Sequence, residues 1–597
     1  MLLAAMVLAY GLGFGWLAAQ RHQTYRTNAE DLGFTDQAIW NFLRGQFMRF
    51  SIYDDAEFQT DIDLKALRRP DSFLAFHVEP ILILFVPLYV VPGLDVRALL
   101  WSQTVLVALG ALPAYSLGSR RLGGRAAGLA AAASYLLSPL GQWAVLADFH
   151  TVALAAPLLM WAIDSLDRGR GLAFLAAAFL AAMTKEEIGL VVAGLGLLAA
   201  VRPGMRRVGM VAVAGGVGWS LLCVGLIIPS YAGAEISPFA ARYAHLGGRP
   251  AEAVLTLFRD PAVFVQALTR PEVLGYAGVL LAAGGWLGLA APHWLAPAGV
   301  VLALNVLSSS PWMASGRAHY SASVLPILVA AAVFGVAAAR QRFSRLATLL
   351  PAMLALGGGL AYAAAGAGPG SDGFRIPPSE ARHAALDRAV SLIPPGTRVS
   401  ASSSVEPHLS RRPNVRLFPT VGDAEYVVVD AVGTSFPTSV SHIYGRTQDL
   451  LESGEWRVLF AEHGALVLAN EAAPPGALPD AFFAAFRRDA PNAAPVSHLG
   501  GALDLLVAEL VPSGETGPRG PLATLQTTWR ANREIQQDLV VVPSVQFSDG
   551  TVQRFDDLAA MSWYPPRRWR LGETVAVDVP GLPLRWVTGW EMEVVAE

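Results

Sequence analysis

The chain has 597 residues, 53% of them hydrophobic and 15% charged, with 44 lysines and arginines against 47 aspartates and glutamates. Soluble proteins carry about 25% charged residues, so the composition excludes a typical soluble enzyme, and a formal net charge of −3 offers no basic surface for nucleic acid. The single cysteine, Cys223, can form neither an internal disulfide nor a structural zinc site.

A bilayer core of about 30 Å is crossed by about 20 apolar residues. Charge-free apolar runs predict about eleven spans in the first 366 residues, a polytopic α-helical membrane region. In chain order they are Met1–Ala19, Ala98–Gly118, Ala126–Ala147, Thr151–Ser165, Gly171–Thr184, Ile188–Val201, Val208–Pro229, Val273–Ala291, Trp294–Ser308, Ala322–Ala339 and Leu346–Gly366. Arginines fall on alternate connections: Arg120, Arg121 and Arg125; Arg168 and Arg170; Arg202, Arg206 and Arg207; Arg340, Arg342 and Arg345. The positive-inside rule makes those connections cytoplasmic, with the N-terminus inside the cytoplasmic membrane and the C-terminal region outside. All the other connections then face outward, among them a long first outer loop at residues 20–76.

Within that loop Thr35 is a candidate N-cap for a short amphipathic helix over Asp36–Gly45, with Ile39, Phe42 and Leu43 on one face. Residues 77–93 carry Pro80, Pro87 and Pro92 and predict a broken, membrane-apposed helix. A Gly/Pro/Ser linker ends the membrane domain at about residue 366. Beyond it, alternating patterns predict a small α/β domain over 375–470 and a β-rich, jelly-roll-like domain over 481–597.

Five polar groups interrupt the apolar pattern on the predicted outer face. Asp31, Asp36 and Gln37 follow the first span, and a carboxylate there could take a proton from a reacting hydroxyl. His77 and Glu79 open the broken helix, while Asp148 and His150 stand between two apolar runs. Lys185, Glu186 and Glu187 are three consecutive charges between short runs, and Lys185 is one of only two lysines, beside Lys65. A compact ammonium suits a phosphate oxygen. Arg317, His319 and Tyr320 complete the set, with Arg317 and His319 able to clamp an anion. Ionisable groups are costly in a membrane and functional by default, and their gathering on one face predicts one site. No GxGxxG after a strand and no P-loop is present, so a soluble nucleotide-activated donor is not expected.

The segments DLGFTDQAIWNFLRGQ, FHVEPILILFVPLY, DFHTVALAAPLLMW, TKEEIGL and AHYSASVLPIL together resemble the DUF2079 group of bacterial membrane proteins, over about residues 25–470. That group in turn resembles GT-C glycosyltransferases. The resemblance implies transfer of a sugar from a polyprenyl-phosphate carrier to a glycan, lipid or protein acceptor outside the membrane, inverting the anomeric centre, with Asp31 or Asp36 as catalytic carboxylate. Where the family pattern has His-Phe-Ser-Pro, this chain has His77-Val78-Glu79-Pro80, adding a negative charge. A divalent cation held by Asp31, Asp36 and Glu79 is compatible with this chemistry. Two other classes compete: a secondary transporter relaying protons through Asp148, His150, Lys185 and Glu186, and a membrane-anchored surface scaffold without catalysis, for which eleven spans exceed what anchoring needs.

Overall fold

The structure, a computed structural model, describes every residue except 59, 61, 234–236, 248, 249, 344–348, 491, 492, 500 and 597. Arg345 and the start of the last expected span, Leu346, therefore lie outside the described residues. The chain forms two compact units. The first contains Met1–Gln20, Ala38–Arg49 and Asp61–Ile376; the second contains Arg21–Gln37, Phe50–Thr60 and Pro377–Glu597. The boundary at 376 falls in the Gly/Pro linker, whereas the first outer loop, read as part of the membrane domain, is shared between the units.

The first unit is helical, and among the described residues four of its helices are long and apolar enough to cross a membrane: Leu2–Gln23, Arg97–Leu122, Arg206–Ala232 and Val324–Arg342. A fifth span arises if Arg125–Leu136 and Pro139–Leu146, bent by 43°, count as one. The expected eleven are thus not all present as full-length helices. Gly171–Ala182 and Ile188–Ala200 have 12 and 13 residues, about 18–20 Å at 1.5 Å per residue, short of the hydrocarbon core. Val273–Ala291 is broken by a π-turn at Leu281–Gly285, where Gly284 takes φ 108°. Apolar runs report burial from water; they do not report where glycine and proline interrupt the helix. Residues 80–90 form a 3₁₀ run with Pro87 inside, the broken segment expected there.

Two polar ends organise this unit. At one, Arg120 and Arg121 both pair with Asp167, and Asp164 takes Arg120 and Arg168. Connections 120–125 and 168–170, expected on one side from their arginines, therefore meet. The helix Gly171–Ala182 leads from this end to the turn carrying Lys185.

The second unit begins with a π-turn at Ala29–Gly33 that runs into the helix Phe34–Phe42. Thr35 is not its cap: its Oγ1 donates to the Asp31 carbonyl, 2.8 Å away, from inside the helical run. Strands β1 (Val399–Ala401), β2 (Val415–Leu417), β3 (Tyr426–Asp430), β4 (Trp456–Glu462) and β5 (Ala465–Asn470) form one sheet in the order β2-β1-β3-β5-β4. β1 runs parallel to β2 and β3, while β5 is antiparallel to β3 and β4. The helices Ala381–Ser391 and Val440–Glu452 complete an α/β arrangement; Ser439 caps the second by accepting from His442 N.

Strands β6 (Ser497–Leu499), β7 (Leu503–Gly517), β8 (Gly520–Ala531), β9 (Leu539–Phe547), β10 (Val552–Arg554), β11 (Thr574–Ala576), β12 (Val579–Pro583) and β13 (Val587–Ala596) form two antiparallel sheets. Their orders are β11-β8-β7-β6, with β12 also on β8, and β10-β9-β13. Because β6, β7 and β8 pair consecutively as a meander, the connectivity departs from the Greek keys of a jelly roll. One apolar cluster joins Phe418, Val429 and Leu466 of the α/β part to Trp529, Val541 and Trp563 of the β part, so the two expected C-terminal domains share a core.

Candidate functional site

The connections at residues 77–79, 148–151, 184–187 and 315–321 of the first unit converge on one polar cluster. The turn at Asp148 is a tight one: Asp148 has φ 54°, a left-handed conformation that L-residues rarely adopt. Gln103, fully buried in a helix, fixes that turn from both sides. Its Nε2 donates to the Asp148 carbonyl at 2.8 Å and its Oε1 accepts from His150 N at 2.8 Å. His150 is thereby presented to His319, with ring centroids 3.5 Å apart and planes at 20°, and His319 lies against Tyr320 at 4.1 Å. The connection bearing His319 is anchored by Ser321, which lies 2.8 Å from Tyr276 Oη, itself accepting from Asn305 Nδ2 at 3.1 Å. Arg317 stands two residues before His319, just after Gly316 at φ 66°.

The turn at Lys185 is held at its carbonyls by neighbours. Ser220 Oγ donates to the Glu186 carbonyl at 2.6 Å, and Ile81 N donates to the Met183 carbonyl at 3.2 Å. Lys185 Nζ lies 4.0 Å from Glu187 Oε1 and 6.0 Å from the centre of the Tyr320 ring. Glu186 turns to the first loop: His77 Nδ1 is 2.9 Å from its Oε1, and Val78 N donates to its Oε2 at 3.2 Å. His77 stacks on Phe239 at 4.8 Å, and the Arg242 guanidinium lies over the same Phe239 ring, 4.6 Å from its centroid. Glu79 is 2.6 Å from Thr151 Oγ1, which is also 2.6 Å from the Thr184 carbonyl.

The electrostatics follow from this packing. Burial opposes charge on Glu186, but the contact with His77 and the charge of Lys185 outweigh it and hold the carboxyl at about 2. Burial pushes Glu79 and Glu187 up to about 7, against the pull of Lys185 on both. Burial also works against the Lys185 ammonium, and Glu187, Glu186 and Glu79 overcome it and keep it charged above the ordinary lysine range. His77 is depressed by burial and then Lys185, and His319 is driven well below its ordinary value by burial, His150 and Lys185. Neutral imidazoles, a held ammonium and two carboxyls that titrate near neutrality can receive an anion and pass protons around it.

Of the predicted residues, His77, Glu79, His150, Lys185, Glu186, Glu187, His319 and Tyr320 are thus linked by contacts, with Asp148 and Arg317 in the same turns. Gln103, Thr151, Phe239 and Arg242 were missed. Gln103 sits in a charge-free run and gives no charge signal, while Phe239 and Arg242 belong to a long loop with no motif; a buried amide inside a predicted span is the one cue that was available.

Asp31, Asp36 and Gln37 belong to the second unit. Asp36 is fully buried, accepts from Ser410 Oγ at 2.7 Å and from Arg411 Nε and Nη2 at 3.1 and 3.2 Å. Gln37 spends its amide on the chain itself: Nε2 donates to Ser51 Oγ and the Arg412 carbonyl at 2.9 and 3.0 Å, and Oε1 accepts from Ser51 N at 2.8 Å. A substrate-binding role for Gln37 is not supported by that saturation, and Asp36 is built as an anchor. Gly33 is required here, since a β-carbon would overlap the buried Glu406 carboxyl. Asp31 is partly exposed. Among the described residues no group of three or more His, Cys, Asp or Glu could hold a metal ion.

A helical unit with four helices long and apolar enough to cross a membrane, among the described residues, is that of a membrane protein. The chain belongs to the DUF2079 family, described as predicted membrane proteins, whose model matches residues 21–467. Its fold is similar to that of ArnT from Cupriavidus metallidurans, seen in the crystal in the apo state, at 15% identity and a TM-score of 0.44, covering 75% of this chain and 95% of that one. No curated protein sequence matches the chain.

Proposed function

We propose that the protein is a membrane glycosyltransferase that takes a sugar from a polyprenyl-phosphate carrier and passes it to an acceptor on the extracytoplasmic face. The observation that carries this reading is an apolar groove of about 650 Å³ in the same unit as the polar cluster, part of whose lining follows or precedes the cluster closely in sequence. It is lined by Ile81, Leu84, Phe85, Trp101, Leu154 and Leu180; Ile81 lies two residues after Glu79, Leu154 three after Thr151, and Leu180 five before Lys185. A cluster of charged and polar side chains with an apolar groove nearby in sequence suits a ligand with a charged head and a hydrocarbon tail.

In the reaction the acceptor oxygen attacks the anomeric carbon, the bond from that carbon to the phosphate oxygen breaks, and the acceptor proton passes to a carboxylate. Asp31 is our choice of base, because Asp36 is committed to Arg411 and Ser410. Negative charge grows on the departing phosphate, and Lys185, Arg242, Arg317 and a hydrogen-bonding neutral His319 would stabilise it more in the transition state than in the ground state. Direct displacement inverts the centre. The alternating arginine connections support placing this end outside.

The test is transfer of radiolabelled sugar from synthetic polyprenyl-phosphate sugars by protein in vesicles. The expected result is turnover by the wild type and loss in Asp31→Asn with donor binding kept. Turnover retained in that variant would remove Asp31 as base; absence of turnover with every donor, together with proton-coupled solute flux, would replace the transferase by the transporter.

A further inference from the structure

The position of Glu79 carries an inference about how the site is regulated, and it rests on reading that cluster as an anion site. The Thr151 hydroxyl has one hydrogen but lies 2.6 Å from both Glu79 Oε2 and the Thr184 carbonyl. A carbonyl oxygen only accepts, so if Glu79 is a carboxylate one of these two short contacts sets acceptor against acceptor. Both are satisfied at once only when Glu79 is a neutral acid: its O–H donates to Thr151 Oγ1, and Thr151 donates to the Thr184 carbonyl. Thr184 is the residue before Lys185, so the chain of donors ends at the backbone that positions the ammonium. Thr151 and Thr184 are fully buried and Glu79 is 7% exposed, so no bulk water replaces a missing bond.

We propose that Glu79 is a proton-controlled gate on anion binding: neutral, it completes the chain through Thr151 and leaves Lys185 to the incoming anion; ionised, it competes for Lys185 and repels that anion. The groups acting on Glu79 are Lys185, Glu186 and His150, together with Thr151, and His77 and Glu187 complete the charged surroundings of Lys185 and Glu186. Burial keeps the Glu79 carboxyl protonated up to about pH 7, so the gate opens below neutrality and closes above it. Glu187 rises to about 7 as well, and it contributes a second, separable step.

The probe is geranyl methyl phosphate, a phosphodiester whose single charge is constant across neutral pH, titrated against the full-length protein in nanodiscs at pH 6 and 8.5. Wild-type affinity is expected to fall about tenfold or more on going up, the equivalent of one unit of carboxyl shift. Glu79→Gln, which mimics the neutral acid, is expected to bind at pH 8.5 at least about threefold more tightly than the wild type, while Glu187→Gln keeps the Glu79 part of the fall. A fall of the same size in wild type and Glu79→Gln would overturn the gate while leaving the anion site standing. No binding at either pH would overturn the anion site itself. If Glu79→Gln does not assemble, Thr151→Val gives the second measure: breaking the donor chain moves the midpoint of the fall by about half a pH unit or more, and an unmoved midpoint overturns the proposal.

Discussion

The two polar ends of the helix Gly171–Ala182 hold similar numbers of charges and use them differently. At one end Asp164 and Asp167 are all but buried, at 5% and 2% side-chain exposure, and each is matched by arginines. Guanidinium forks meet carboxylates in fixed geometry, so these charges are spent on one another. At the other end the cation is a lysine whose nearest carboxylate oxygen is 4.0 Å away, its partners include two glutamates that titrate at about 7, and three histidines line the surroundings. The lesson is that closed arginine–carboxylate sets fasten connections together, while a lysine left among titrating acids and neutral imidazoles is a place where charge can be exchanged.

Removing one charge at each end separates the two most sharply. Lys185→Ala should lower sugar transfer about 10²–10³-fold, the size expected for losing one electrostatic stabiliser of the leaving group, with little change in melting temperature; a loss below tenfold would make Lys185 an anchor like its opposite end. Gln103→Ala frees the Asp148 turn and unseats His150, and should lower transfer about tenfold by misplacing the His150–His319 stack, read as a fall in kcat at near-constant stability. Asp167→Asn should leave transfer unchanged and lower stability by about 1–3 kcal/mol, because it removes a buried acceptor shared by two arginines; thermal unfolding in detergent reads this.

The smallest effect concerns the second unit. Glu515 is half-buried, and Arg21 and Arg26 outweigh that partial desolvation and hold its carboxyl below the ordinary value. A depressed carboxyl contributes stability that is present above the ordinary glutamate value of 4.5 and lost as the pH falls through the lowered one. Hydrogen exchange of residues 21–26 should therefore be slow at pH 7 and rise only under more acid conditions, and Glu515→Gln should raise it already at pH 7.

Several of these features were legible in the sequence and others were not, for identifiable reasons. The run Met1–Ala19 became a full helix because nothing in it interrupts the hydrogen-bond ladder, and Val208–Pro229 keeps its length despite a π-turn at Cys223–Ile227. The shorter runs around Lys185 looked alike in hydropathy, yet the arginine turn at 168–170 and the charges at 185–187 confine the first helix to 12 residues, and those charges and the turn at Arg202 confine the second to 13. The outer polar residues were visible because charge stands out in an apolar chain. Gln103, Thr151 and Phe239 were not, since an amide, a hydroxyl and a phenyl ring become informative only when the fold shows what they touch. Asp36 illustrates the converse: next to Asp31 in sequence it looks equally reactive, and only Arg411, 375 residues away, reveals it as a fastened anion.

The central claim is that the cluster around Lys185 receives the phosphate of a lipid-linked sugar, and native mass spectrometry of the detergent-purified protein tests it most directly, comparing wild type with an Arg317→Ala, His319→Ala double variant. The account predicts a co-purifying polyprenyl-phosphate-linked sugar on the wild type that is absent from the folded variant. Bulk phospholipid alone on both proteins would contradict it.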